Sequence, residues 1–169
     1  MSSKIEHYPG REISAEDLAS EKYLTTHYEA HLEYAWTSGV AISRFLDGLK
    51  QGVFWARKCH NCGRVMIPPR MYCEECFRAT DEWVKVKDSG TVNTFSIVHV
   101  NTDASRRKKP LVVSVIEIDR ASPGMGILHL LGEVAPEDVS VGMRVKAVWK
   151  PKTERRGAIT DIRYFKPLK

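Results

Sequence analysis

The stretch CHNCGRVMIPPRMYCEEC, residues 59–76, carries two Cys-x-x-Cys pairs, Cys59/Cys62 and Cys73/Cys76, on either side of a ten-residue arm. In such a pair both sulfurs can face one point while nearby backbone N–H groups bond to them, and two pairs complete the tetrahedron that Zn²⁺ prefers. Gly63, directly after the first pair, suits the tight exit from that turn. The arm 64–72 fits a short hairpin with Pro68 and Pro69 at its bend. The stretch therefore predicts a rubredoxin-like zinc ribbon with Cys59, Cys62, Cys73 and Cys76 as metal ligands. Four protein ligands leave no open coordination position, so the Zn²⁺ is structural and not catalytic.

Three other readings of the same cysteines compete. Two disulfides require an oxidising compartment, yet no charged-then-apolar signal peptide opens the sequence, so a reducing cytoplasm is the expected location. Redox chemistry at a Cys-x-x-Cys calls for a thioredoxin-like βαβ setting, which the pattern lacks. Iron held by four thiolates stays open, since the donor set alone does not choose the metal. If a metal is bound, all four cysteines of the chain are used and none is left as a nucleophile.

The chain of 169 residues has room for two or three small modules around such a ribbon. Its balance is mildly basic, 26 Lys+Arg against 21 Asp+Glu, which permits polyanionic partners without choosing among them. No apolar run approaches the ~20 residues that cross a bilayer, so no membrane association is expected.

Residues 1–13 lack periodicity and read as a loose tail. Ser14 before Ala15-Glu16-Asp17 is an N-cap with acidic residues at the positive end of a helix dipole. Leu24, Tyr28, Leu32 and Ala35 or Trp36 recur at helical spacing, up to a break at Gly39. A shorter helix follows, with Ile42, Phe45, Leu46 and Leu49 as its apolar face before Gly52. The segment 14–52 is thus predicted to be a helical hairpin, whose apolar stripes exceed what a small ribbon can cover. The ribbon occupies 53–88, with short strands at 53–57 and 64–67, and His60 is an exposed bystander beside the ligands.

Ser89-Gly90 reads as the turn into a last module, 89–169. Strands are predicted at 91–101, 111–119, 125–134, 144–150 and 158–166, with a helical turn at 135–139 between the third and fourth. Five strands in that order form an oligonucleotide/oligosaccharide-binding (OB) barrel, a small sandwich being the alternative. The predicted class is α+β. His99 and His129 fall in strands, where hydrogen-bonded barrel histidines are commoner than catalytic bases. No Gly-x-Ser-x-Gly, phosphate-binding loop or second metal constellation occurs, so no catalytic residue is assigned.

Several motifs carry a resemblance: Phe45-Leu46-x-x-Leu49-x-x-Gly52, Cys59-x-x-Cys62-Gly63, Pro68-Pro69-Arg70 before Cys73-x-x-Cys76, Trp83, Ser89-Gly90-Thr91-Val92 and Val141-Gly142-Met143-x-Val145. From about Val40 to the C-terminus the chain resembles the zinc-ribbon/OB-fold family of acyl-CoA-associated proteins. Phe77 departs from that pattern, where a small residue follows the second pair. The predicted N-terminal helix resembles the small subunit of aromatic β-oxidation thiolases such as benzoylsuccinyl-CoA thiolase. The resemblance implies an accessory subunit in a hetero-oligomer with a thiolase-fold enzyme, its OB module associated with acyl-CoA. Thiolase chemistry needs an activated cysteine, and this chain has none to spare, so the covalent step would belong to the partner.

In OB barrels the loops joining strands one to two and four to five flank the ligand face. Both carry basic residues here: Arg106, Arg107, Lys108 and Lys109 in the first, Lys150, Lys152, Arg155 and Arg156 in the second. They are the expected contacts for the phosphates of coenzyme A. A nucleic-acid-binding module is the alternative, and it requires exposed stacking rings, for which Phe95, Tyr164 and Phe165 are the candidates.

Overall fold

Strand β1, Phe54–Lys58, is flanked on one side by β2, Val65–Met66, and on the other by β5, Glu82–Val86, both antiparallel. This sheet belongs to a computed structural model in which residues 12–24, 26 and 29–168 are described. The arm after the first cysteine pair does not fold back on itself as a hairpin. Its first half, β2, joins β1, and its second half, β3 (Tyr72–Cys73), pairs with β4 (Arg78–Ala79) beyond the second cysteine pair. Joining β1 buries Met66 and Ile67 fully, which a free-standing hairpin would leave in water. Pro68 and Pro69 then follow without N–H donors to extend the ladder.

The N-terminal region differs from the expectation of a helical hairpin. Helix α1 covers only Ala15–Ala19, capped by a Ser14/Asp17 capping box. It ends where Ser20 donates its N–H to Glu16 and Glu21 adopts a positive φ of 52°. No described residue of 20–38 is helical, and Leu24, Leu32, Tyr34, Ala35 and Trp36 are all exposed. Tyr28, assigned to the same stripe, lies outside the described residues. A periodic stripe stabilises a helix only through what it buries. The described residues up to Trp36 fall in one compact unit and those from Thr37 onward in another.

In the second unit, α2 spans Gly39–Gln51, so Gly39 opens this helix and does not end an earlier one. Phe45 and Leu49 are buried as predicted, whereas Ile42 faces outward and Leu46 is half-buried. Gly52 closes the helix in the left-handed region, with φ 78°.

The barrel closes in the order β10-β8-β7-β6-β9: β6 Ser89–Val100, β7 Arg106–Ile118, β8 Gly126–Leu131, β9 Arg144–Trp149 and β10 Ile162–Pro167. A 3-10 turn, Pro136–Asp138, stands between β8 and β9, completing the OB arrangement. Ser89-Gly90 is not a turn but the start of β6. A Cβ on Gly90 would lie 2.1 Å from the Glu117 carbonyl oxygen, so only glycine fits where β6 crosses β7. Register shifts at Val92/Thr94 and Val98/Val100 bend β6 around the barrel, as its imperfect alternation predicts. Among the described residues no helix is long and apolar enough to cross a membrane.

Arg144 grips Asp119 with two hydrogen bonds, Nη1 to Oδ1 at 2.7 Å and Nη2 to Oδ2 at 2.6 Å, and the Ser89 hydroxyl also donates to this carboxylate. The cluster joins β6, the end of β7 and β9 at one rim of the barrel. The Arg144 bonds hold the Asp119 carboxyl down at about 2, below the ordinary 3.8. A depressed folded-state value contributes stability that is present above the unfolded value and is lost as pH falls through the folded one. We expect Asp119→Asn to lower the urea midpoint at pH 7. The gap from the unmodified protein should close as pH falls from about 3.8 to about 2, which denaturation curves across that range will check.

Candidate metal centre and ligand groove

The two knuckles bring the four Sγ atoms of Cys59, Cys62, Cys73 and Cys76 within 4.8 Å of one another. Cys62 and Cys73 lie 3.7 Å apart, close to the ~3.8 Å edge of a tetrahedron with ~2.3 Å metal–sulfur bonds. All four are free thiols, so the disulfide reading does not describe this arrangement. Cys59 and Cys73 are buried and Cys62 is exposed. The knuckle closes by Gly63 N–H donating to the Cys59 carbonyl and Cys59 N–H to the Arg64 carbonyl, both at 2.9 Å. The Cys62 N–H, aimed at the Cys59 sulfur, lowers that thiol to about 7, which favours its thiolate. Burial pushes the Cys73 thiol up, and a bound cation would supply the missing stabilisation of its thiolate.

His60 is exposed, with Nε2 3.1 Å from Glu82 and its N–H donating to Asp81, so it stands outside the donor set as expected. Its neighbour was missed. Asn61 donates its side-chain N–H to the Cys76 sulfur at 3.1 Å, linking the first knuckle to the second pair. Its position inside the Cys-x-x-Cys was visible, but the partner became evident only after folding. Phe77 takes the left-handed conformation, φ 51°, that Gly63 takes at 75° after the first knuckle, so the turn survives the large residue.

The basic residues predicted to meet ligand phosphates divide into separate groups. Arg106, Arg107, Lys108 and Lys109 are not a loop but the opening of β7; Arg107 bonds Asn101 at 2.6 Å, and Arg107, Lys108 and Lys109 line a cavity of ≈ 400 Å³. The β9–β10 connection forms a different site. Buried Asp161 accepts N–H bonds from Arg156, Gly157 and Ala158 and folds this loop into shape. Arg155 is used structurally: its guanidinium covers Trp149 at 5.4 Å and its Nε donates to the Lys150 carbonyl. Lys152 and Arg156 remain exposed. Lys150 and Arg156 of the second run line a different cavity from the first run.

Between β7, β8 and this loop runs an apolar groove of ≈ 560 Å³, whose walls include Val113, Leu128, Leu130, Ile159 and Ile162. It meets a polar cleft of ≈ 420 Å³ that contains Arg156, and both are bounded by Lys150 and Thr160. His129 lines the groove with Nε2 3.3 Å from the Ile159 carbonyl, and burial lowers its pKa, keeping it neutral. His99 is exposed on β6. The rings that nucleic-acid stacking would require are occupied otherwise: Phe165 is fully buried, Phe95 packs on the core and Tyr164 donates to Glu133 at 2.8 Å.

The chain matches two domain families, the ChsH2 rubredoxin-like zinc ribbon domain over residues 46–82 and the ChsH2 C-terminal OB-fold domain over 83–150. It is 37% identical over 114 residues to a DUF35 domain-containing scaffold protein of Methanocaldococcus jannaschii, covering 66% of this chain and 79% of that one. A scaffold protein of the same description from Methanothermobacter thermautotrophicus is 29% identical, with 65% and 83% covered. A DUF35-family crystal structure from Sulfolobus solfataricus superposes with a TM-score of 0.57 at 30% identity, over 65% of this chain and 78% of that one. The Ltp2-ChsH2(DUF35) aldolase shares the fold at 19% identity, with a TM-score of 0.56 over 80% and 98% of the two chains.

We expect about one Zn²⁺ per chain by elemental analysis of natively purified protein. Cys59→Ser should lose metal and soluble yield together, because binding and ribbon folding are coupled. Asn61→Ala keeps all four thiols but removes the bond to Cys76, and should release metal to a competing chelator about tenfold to a hundredfold more readily.

Proposed function

This chain belongs to the family of DUF35 domain-containing scaffold proteins, and we propose that it is a non-catalytic, zinc-binding subunit of a thiolase-type acyl-CoA enzyme complex. The observation that carries this reading is the apolar groove opening, across Lys150 and Thr160, into a polar cleft that sets Lys150 and Arg156 beside Glu154. Coenzyme A has the matching form, with phosphates at one end and a thin, mostly uncharged arm at the other. The arm lies along Leu128, Leu130 and Ile159, and the phosphates meet Lys150 and Arg156, with Lys152 exposed on the same β9–β10 connection. Arg106, Arg107, Lys108 and Lys109, off this path, steer the anion at longer range. Zn²⁺ supplies no chemistry here beyond holding the two knuckles together.

The covalent step belongs to the partner. A thiolase nucleophile is a cysteine, and the four in this chain converge on one point. The shared fold of the Ltp2-ChsH2(DUF35) aldolase, an enzyme described as pairing a chain of this family with another protein, supports the same division of labour. Cysteines kept out of disulfides in this way fit the reducing conditions of the cytoplasm.

Co-expression with a thiolase-fold enzyme should give one peak on size exclusion; consistent separation would overturn the subunit reading. In the assembled complex, Lys152→Ala/Arg156→Ala should raise KM for acyl-CoA several-fold and leave kcat nearly unchanged. The KM of the unmodified complex should climb with salt. Replacing Arg106 and Arg107 should have the smaller effect, and equal KM values for all variants would remove coenzyme A from this subunit.

A further inference from the structure

One face of the ribbon sheet carries an alternating stack of cations and indoles that the metal centre and the groove do not use. Trp55 pairs with Lys85, and Arg57 with Trp83, across β1 and β5. Arg44 reaches over from α2 and touches both rings, its guanidinium carbon 4.6 Å from each ring centre. Lys85 lies over Trp55 at 5.0 Å and Arg57 over Trp83 at 4.9 Å. The resulting order is Lys85, Trp55, Arg44, Trp83, Arg57. Gly48, one turn after Arg44, permits the approach, because a Cβ there would lie 2.6 Å from Trp55 Cδ1 and 2.7 Å from the Val53 carbonyl oxygen.

The charges of this stack are not balanced. Arg57 is satisfied internally, its Nε donating to the Thr80 hydroxyl at 2.8 Å and its Nη2 to the Thr80 carbonyl. Arg44 and Lys85 are exposed and make no ion pair with any described residue. The Arg44 guanidinium is held against two indoles, which cannot accept its N–H hydrogen bonds as a carboxylate would. A guanidinium held in this way is pre-organised for a carboxylate, which it can meet with two parallel hydrogen bonds. Half-buried Trp55 and Trp83 lie beside it, and Val40, one turn earlier on the same helix face, is 68% exposed. Tryptophan and arginine dominate the energetic centres of protein interfaces. A phosphate would be met by the charges as well, but it has no use for the apolar surface of Val40 and the indoles.

We infer that the Lys85–Trp55–Arg44–Trp83–Arg57 face is a docking surface for a partner protein presenting an Asp or Glu carboxylate ringed by apolar side chains. This rests on the reading of the chain as a subunit and names the surface through which it joins its partner. The carboxylate meets the Arg44 edge, the apolar ring covers Trp55, Trp83 and Val40, and Lys85 supplies a second cation at the rim.

The test uses Arg44→Gln, which keeps a planar, polar group beside the indoles without the charge, and Arg44→Lys, which keeps the charge without the paired edge. Affinity for the co-expressed thiolase-fold partner should fall about tenfold to a hundredfold for Arg44→Gln and by an intermediate factor for Arg44→Lys, with unchanged metal content and circular dichroism. A lower melting temperature with unchanged affinity would make the stack purely structural and overturn the proposal. A second arm needs no partner: a short Glu-rich peptide containing leucines is titrated into the full chain and followed by the indole N–H resonances of Trp55 and Trp83. Saturable shifts that vanish in Arg44→Gln support the proposal even if no thiolase-fold enzyme binds, in which case only the subunit reading fails. Absence of any shift overturns it, as does a response to oligothymidylate but not to the peptide, which would assign the face to phosphates.

Discussion

The phenyl ring of Phe54 is the contact on which the arrangement of α2, ribbon and barrel depends. It is buried at the start of β1, with Phe45 of α2 at 6.4 Å, Trp149 of β9 at 5.2 Å and Phe165 of β10 at 6.5 Å. One side chain thus ties α2, the ribbon sheet and the barrel into one apolar cluster that extends from Leu49 through Met66 to Ile116. Truncating such a ring costs about 3–5 kcal/mol in ordinary cores, and here the loss would fall on every junction at once. The ribbon is therefore not a bead on a string. A second tie supports this: the Val65 N–H donates to the Ser122 hydroxyl at 2.8 Å and the Ser122 N–H to the Val65 carbonyl at 3.0 Å, joining β2 to the β7–β8 turn.

A shared core fixes the features that carry function. The groove along β7 and β8 is shaped partly by the β9–β10 connection, and that connection is held from two directions. Asp161 organises its backbone from within, while Arg155 packs on Trp149 and Gly157 lies against the Leu46 carbonyl of α2. The carboxylate spends its hydrogen-bonding capacity on three backbone N–H groups, and these bonds hold it below the ordinary range against the opposing effect of burial. Basic residues nearby thus have different duties despite similar spacing in the sequence. Arg155 is a packing residue, and Arg156 on the next peptide is free to face a ligand.

The sequence made the metal centre legible because a thiolate tetrahedron depends on short-range spacing: Cys59/Cys62 and Cys73/Cys76 each lie within one turn. The five barrel strands were legible for a similar reason, since period-two alternation records which face is buried. Failures began where the outcome depends on distant partners. Leu24, Leu32 and Trp36 have helical spacing, yet in the structure they are exposed and not helical. The arm after Cys62 has the composition of a hairpin, yet β2 gains more by burying Met66 beside β1. Arg106 to Lys109 read as a loop because of their charge, but the β6–β7 ladder extends through Val100 and Arg106 and makes them strand.

The stack around Arg44 shows why some functional surfaces have no local signature. Trp55 and Trp83 are far apart in the chain and become neighbours only because β1 pairs with β5, in a register that sets Trp55 against Lys85 and Arg57 against Trp83. Arg44 enters from a third element and reaches both rings only because Gly48 lets α2 sit close. Each residue alone has a bland reading: a surface arginine, a strand tryptophan, a helix glycine. Sheet register, helix approach and the absence of a counter-ion among the described residues give them a joint meaning, and none of the three is a property of spacing. The metal site differs in kind, because its ligands must be close in sequence to form knuckles at all. A docking face has no such requirement, and its chemistry becomes readable only when the shared core has brought its parts together.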